Sequence, residues 1–229
     1  MKQRRIFYSE YAYAAGIAAL AIGTALMERA DFGMSMVVVP AYLLHLKISQ
    51  TLPFYTFGTS EYVLQAFLLA ALSLLLRRFK ISYLFSFVTA VLYGFTLDAS
   101  IYLVGLIPFY GIPARVVYYL MGLLVCAFGV SLLFHTYLPP EAYELFVKEL
   151  SARLNKDINR VKTIYDCSSC LIGVLLSFLF FGFGHFEGVK AGTILCALVN
   201  GWLIGRCSAL LESRFVFRDR LPWRDAFSR

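Results

Sequence analysis

Glu61, Asp98, Asp166 and Arg206 lie inside long apolar runs. Charge in hydrocarbon is costly and marks bundle interiors or water-lined paths, so these four carry the functional weight. Asp166 stands in KTIYDCSSCLIG, with Lys162 four residues before it and Cys170 four after, which puts all three on one helix face. Lys162 and Asp166 read in two ways. They form a local pair that snorkels to water, or Asp166 joins Arg206 as the lining and gate of a vestibule at one end. Glu61 and Asp98 would then line the other end, and a protonatable Asp98 offers coupling to protons. The C-x-x-C at Cys167 and Cys170 lacks the setting of a redox pair or a zinc site. The histidines, His45, His135 and His185, scatter over separate segments. Small residues at 167–170 therefore read as helix packing. No phosphate loop, nucleophile triad or HExxH is present, so no enzyme, cofactor or metal site is expected.

These residues need elements to position them, and composition says what kind. The chain of 229 residues is 60% hydrophobic and 15% charged, against about 25% charged for a soluble domain. The expected solvent is a lipid bilayer. Six runs reach the roughly 20 apolar residues a spanning helix needs: 11–28, 57–76, 81–105, 116–136, 161–182 and 189–211. The basic start followed by an apolar run is similar to a signal peptide, but the run continues to Met27 without an A-x-A end and further spans follow. Five cysteines, all in apolar segments, do not make a disulfide framework. Lys and Arg cluster within 2–5, 77–80, 148–162 and 206–229, while Arg29, Lys47, Arg115 and Lys190 fall on the other side. By the positive-inside rule both termini are cytoplasmic. The net charge of +7 thus points to a membrane surface, not nucleic acid. The C-terminal arginines alternate with Phe215, Phe217, Trp223 and Phe227, a composition suited to anionic inner-leaflet lipids.

Two shorter segments interrupt the spans. Residues 34–47 are apolar nearly all round, with Ser35 as an N-cap and Pro40 as a kink. They read as a re-entrant helix whose start, at Asp31 to Ser35, would face an anion, or as a helix lying on the outer surface. Residues 139–154 read as an interfacial amphipathic helix. Tyr143, Phe146, Val147, Leu150 and Leu154 form one face, and Glu141 and Glu144 sit on the other or against an internal cavity. The halves resemble each other. Ala21, Gly23 and Leu26 match Ala127, Gly129 and Leu132, and Gly94-Phe95 matches Gly201-Trp202. Gln65 then falls opposite Asp166 and Asp98 opposite Gly205. Three spans per half is an odd number, so the second half is expected upside down, as in transporters with inverted repeats.

The turn Ala30-Asp31-Phe32-Gly33-Met34-Ser35 after the first span resembles the A-D-x-G-x-S turn of the YczE/YyaS family of bacterial integral membrane proteins, with YitT-like proteins as looser relatives. Pro139, Pro140, Glu141, Glu144, Lys162 and Asp166 resemble the second half of one branch of that family. The resemblance covers essentially the whole chain. It implies a bacterial inner-membrane protein of two repeats and no defined substrate.

The expectation is an all-α membrane protein of six spans in two inverted repeats (1–110 and 111–212), each with a short helix after its first span, and a basic tail at 213–229. The expected function is passage of a small polar or anionic solute through a site between the repeats. Asp31, Ser35, Glu61, Gln65, Asp98, Glu141, Glu144, Lys162, Asp166 and Arg206 are the candidate binding residues. The alternative is an accessory protein that binds a lipid or protein partner through the short helix and the tail.

Overall fold

Residues 5–108, 111–156, 158–182 and 187–222 are described by the computed structural model. Lys2, Arg4, His185, Trp223, Arg224, Phe227 and Arg229 lie outside the described residues. Six long helices form where the apolar runs predict them: α1 (Ser9–Ala30), α3 (Phe57–Leu76), α4 (Ile81–Gly105), α5 (Gly111–Phe134), α7 (Ile158–Phe181) and α8 (Ala191–Arg214). All six contain a stretch long and apolar enough to cross a membrane. Leucines on their outer faces, such as Leu74, Leu179 and Leu198, stand exposed. That is the expected state of a side chain whose solvent is lipid. The fold is thus an all-α membrane fold, and the chain is a multi-pass membrane protein.

The two short segments are helices α2 (Val39–Ile48) and α6 (Ala142–Leu154). Ser35 does not cap α2: Val38 holds that position, and Pro40 lies in the first turn. There its missing N–H costs nothing and no kink results. The left-handed residues Asp31, Arg77 and Asn155 close α1, α3 and α6. Asp and Asn tolerate that conformation better than most side chains.

Helices α1 and α5 form the central pair. A methyl group added at Gly23 would stand 2.6 Å from Cys126 N, and one at Gly129 would stand 2.6 Å from Leu20 N. Glycine is what lets these two backbones touch. Helix α4 packs on α1 and α8 packs on α5. Helices α2 and α6 each pack against both α3 and α7.

Helix α6, expected as interfacial or against an internal cavity, packs into the bundle at its start. Its first residue, Ala142, lies beside Gln65 of α3, and roughly 16 Å of helix axis separates Gln65 from the end of α3 at Leu76. That is about half the ~30 Å hydrocarbon core. The 13 residues of α6 cover the return at roughly 20 Å, and Lys80 Nζ meets Glu149 near its end at 2.8 Å. The buried face is Ala142, Tyr143, Leu145, Val147 and Ser151, whereas Leu154 of the expected apolar face is exposed. Tertiary packing buried the first turn, which a helical wheel alone assigns to a water interface. From the other end, Val39 at the start of α2 meets Gly173 of α7, roughly 12 Å along the axis from the end of α7 at Phe181.

The segment expected as a tail does not hang free at its start. Strand β2 (Phe215–Arg218) follows α8 and pairs in parallel with β1 (Arg5–Tyr8). Phe7, Phe215 and Phe217 pack over Ala12, Leu132 and Leu211. The Glu10 carboxylate accepts the backbone N–H groups of Arg220 (3.0 Å) and Leu221 (2.9 Å) and the Tyr137 hydroxyl (2.9 Å).

Candidate functional site

The deepest polar cluster gathers where α6 begins. Glu61 and Gln65 share one face of α3, and both are fully buried. Glu61 Oε2 accepts the Tyr143 hydroxyl at 2.8 Å and Gln65 Nε2 at 3.3 Å. Gln65 Oε1 accepts the Ala142 N–H at 3.0 Å, which satisfies one of the free N–H groups at the start of α6. Glu61 Oε1 is buried and accepts no hydrogen bond. Beside it Glu141, 8% exposed, also leaves Oε1 buried and unbonded. Burial pushes the Glu141 carboxyl well above its usual range, and the charges of Glu61 and Glu144 push it further.

Two prolines and a row of hydroxyls let the polar turn before α6 sit this deep. Pro139 and Pro140 bring no N–H donors. Their carbonyls accept the hydroxyls of Thr89 (3.1 Å) and Ser86 on α4. Thr89 also meets the Tyr13 hydroxyl of α1 at 2.6 Å. One turn further on, Tyr93 donates to Thr24 at 3.0 Å. Non-helical backbone at membrane depth is tolerated where the protein itself supplies such partners.

Glu144 and Lys162 form an ion pair at 2.9 Å that ties α6 to α7. Lys162 shares a face with Asp166, whose Oδ1 is buried without a hydrogen bond. The expected pairing of Asp166 with Arg206 is not formed. Arg206 is exposed and stands 5.3 Å over the Trp202 ring. Asp98 is not a cavity residue but a staple. Its Oδ2 accepts the Thr56 hydroxyl at 2.6 Å and its Oδ1 accepts the Gly58 N–H at 2.8 Å, so both oxygens hold the start of α3. Asp31 is half exposed and bound to Lys190 at 2.5 Å and Arg115 at 3.0 Å. Ser35 lies near the Cys196 thiol on α8. The structure therefore brings together Glu61, Gln65, Glu141, Glu144, Lys162 and Asp166, and it separates Asp31, Ser35, Asp98 and Arg206 from them. Of the C-x-x-C, Cys167 and Ser168 are exposed, so close helix packing does not explain those two. All five cysteines are free thiols.

Sequence reasoning missed the hydroxyl stripe of α4. Ser82, Ser86, Thr89 and Tyr93 recur at the helical period, and all four are buried. That spacing was the available signal. Tyr143 was read as part of an apolar face, and its hydroxyl proves to be the donor to Glu61.

Among the described residues, six helices long and apolar enough to cross a membrane, with a buried carboxylate cluster met by the start of a short helix, define a multi-pass membrane protein with an internal polar site. Residues 7–209 match the family of unknown function DUF6198, and the chain belongs to that family. No curated protein and no solved structure matches the chain.

Proposed function

We propose that the protein is a transporter that passes a small polar solute across the membrane through a site centred on Glu61, between two inverted halves. The observation that carries this reading is the Glu61 carboxyl group: fully buried, bridging both halves through Tyr143 and left with a free acceptor oxygen. Buried polar groups are normally satisfied. One left unsatisfied at mid-membrane marks a place where something binds. The acidic lining favours a cationic or neutral solute over the anionic one that the start of α2 suggested.

Packing supports the inverted repeat. The offset that carries Gly23 onto Gly129 also carries Gly16 onto Gly122, and Gly23 meets Gly122 as Gly16 meets Gly129. The pairs α1 with α4, α2 with α3 and α2 with α7 recur as α5 with α8, α6 with α7 and α6 with α3. A two-fold relation in the membrane plane produces such swaps. We further infer cytoplasmic termini and a bacterial inner membrane, from the charge asymmetry and from the likeness to the YczE/YyaS proteins. The four basic residues at the less basic end are all engaged: Arg115 and Lys190 with Asp31, Arg29 with the Ile107 carbonyl and Lys47 with the Phe180 carbonyl. The accessory reading rests on the tail, whose described part is bound to the chain's own N-terminus.

The test is the thermal stability of the purified protein against a panel of cationic and neutral metabolites, with Glu61→Gln alongside. A ligand at 100 times its Kd adds about 2.7 kcal/mol. Transport predicts a selective upward shift that the variant loses, followed by saturable flux of the same compound in liposomes. A hit that shifts both proteins equally, or that shows no flux, would remove Glu61 or transport from the reading.

A further inference from the structure

We propose that Glu61 and Glu141 together bind one proton and serve as the ion-coupling site of the transporter, an inference that rests on the transport reading above. Both carboxyl groups are more than nine-tenths buried, and each keeps one oxygen without a hydrogen bond. Among the described residues neither forms an ion pair. Lys162, at the edge of the cluster, has its Nζ engaged by Glu144 at 2.9 Å. Tyr13 of α1, Tyr93 of α4, Cys126 of α5 and Tyr165 of α7 face the pair electrostatically. On α6 itself, Tyr143 and Glu144 do so. Of these Glu144 is the one further acid, and Lys162 pairs with it.

The start of α6 supplies a positive influence. A helix N-terminus amounts to about half an elementary charge, enough to offset part of one carboxylate and not two. Two carboxylates in a dry setting relieve their repulsion by retaining a proton. That proton also gives the pair a donor that its free oxygens lack. A metal ion would need more ligands: among the described residues no group of three or more His, Cys, Asp or Glu side chains is arranged to hold one. The proton role that the sequence offered to Asp98 thus moves to Glu61 and Glu141, since both Asp98 oxygens are taken by the start of α3.

The experiment uses the full chain reconstituted in lipid, with no solute present, and infrared spectroscopy of the carboxyl stretch as a function of pH. The wild type should show a protonated carboxyl at neutral pH that Glu61→Gln and Glu141→Gln each remove. Melting temperature gives a second readout. The raised Glu141 pKa stabilises the fold fully below the ordinary value of 4.5, and the contribution is lost as pH rises toward the folded value. The wild-type unfolding constant should rise up to tenfold per pH unit in that window relative to E141Q. No protonated carboxyl at neutral pH, with equal pH profiles for wild type and E141Q, would overturn the proposal. So would sodium chloride in place of choline chloride raising the melting temperature of the wild type and not of E61Q, since the bound ion would then be sodium. Because no solute enters, failure here leaves the transport reading standing, and a failed metabolite panel leaves the proton pair standing.

Discussion

Replacing Tyr143 with Phe removes a single oxygen from the centre of the site and keeps the ring. That hydroxyl donates to Glu61 Oε2 at 2.8 Å, with Tyr143 4% and Glu61 0% exposed. Its loss leaves Oε2 with only the longer contact to Gln65 at 3.3 Å. A buried hydrogen bond between neutral groups nets about 0.5–1.5 kcal/mol, and one to a charged group about 1.5–3 kcal/mol. A Glu61 that shares a proton with Glu141 falls between these limits, so about 1.5 kcal/mol is expected. The assay is a double-mutant cycle in detergent, with Glu61→Leu as the second change because it keeps volume and removes both oxygens. Residues in direct contact show coupling of about 0.5–3 kcal/mol, and independent residues add. Additive effects of Tyr143→Phe and Glu61→Leu would refute the contact and with it the bridge between the halves.

Other variants test the scaffold. Gly23→Ala should cost about 1–3 kcal/mol by overpacking, since the new methyl would meet the Cys126 backbone at 2.6 Å. Gly201→Ala, at a position with nothing within 4 Å, should stay within about 0.5 kcal/mol in the same unfolding assay. Asp98→Ala should lose the two bonds that hold the start of α3, and hydrogen exchange of the Gly58 and Thr59 amides should accelerate first. Glu10→Ala should release the Arg220 and Leu221 amides, which limited proteolysis after β2 would report as faster cleavage. The exposed pairs of Asp31 with Lys190 and Arg115 should each contribute under about 1 kcal/mol and weaken in salt. A large loss of melting temperature in Lys190→Ala would contradict that.

The spans were legible because their signal is local. A run of about 20 apolar residues is either a spanning helix or an exposed hazard, and α3 and α4 begin and end where the run does. The site was half legible. Glu61 and Asp98 looked alike in sequence, each an acid inside a span. Only the approach of Thr56 and Gly58 makes Asp98 a staple, and only its absence from Glu61 leaves an oxygen free. Arg206 failed as a partner for Asp166 because helical phase relative to a neighbour is set by packing. On α8 that phase turns Arg206 outward over Trp202.

The sequence by itself determined the solvent, the number of spans, the charge asymmetry between the two ends and the two short helices. Each follows from composition and period within about 25 residues, the range over which hydropathy and chain length act without knowledge of neighbours. Tertiary structure alone decided the depth of α6. Its first turn is buried because Gln65 caps it and because Ser86 and Thr89 take the carbonyls of two prolines. Those partners lie 50 to 77 residues away along the chain. A buried polar group is acceptable only where its hydrogen-bond partners have been brought, and which groups are brought is a property of the packed bundle.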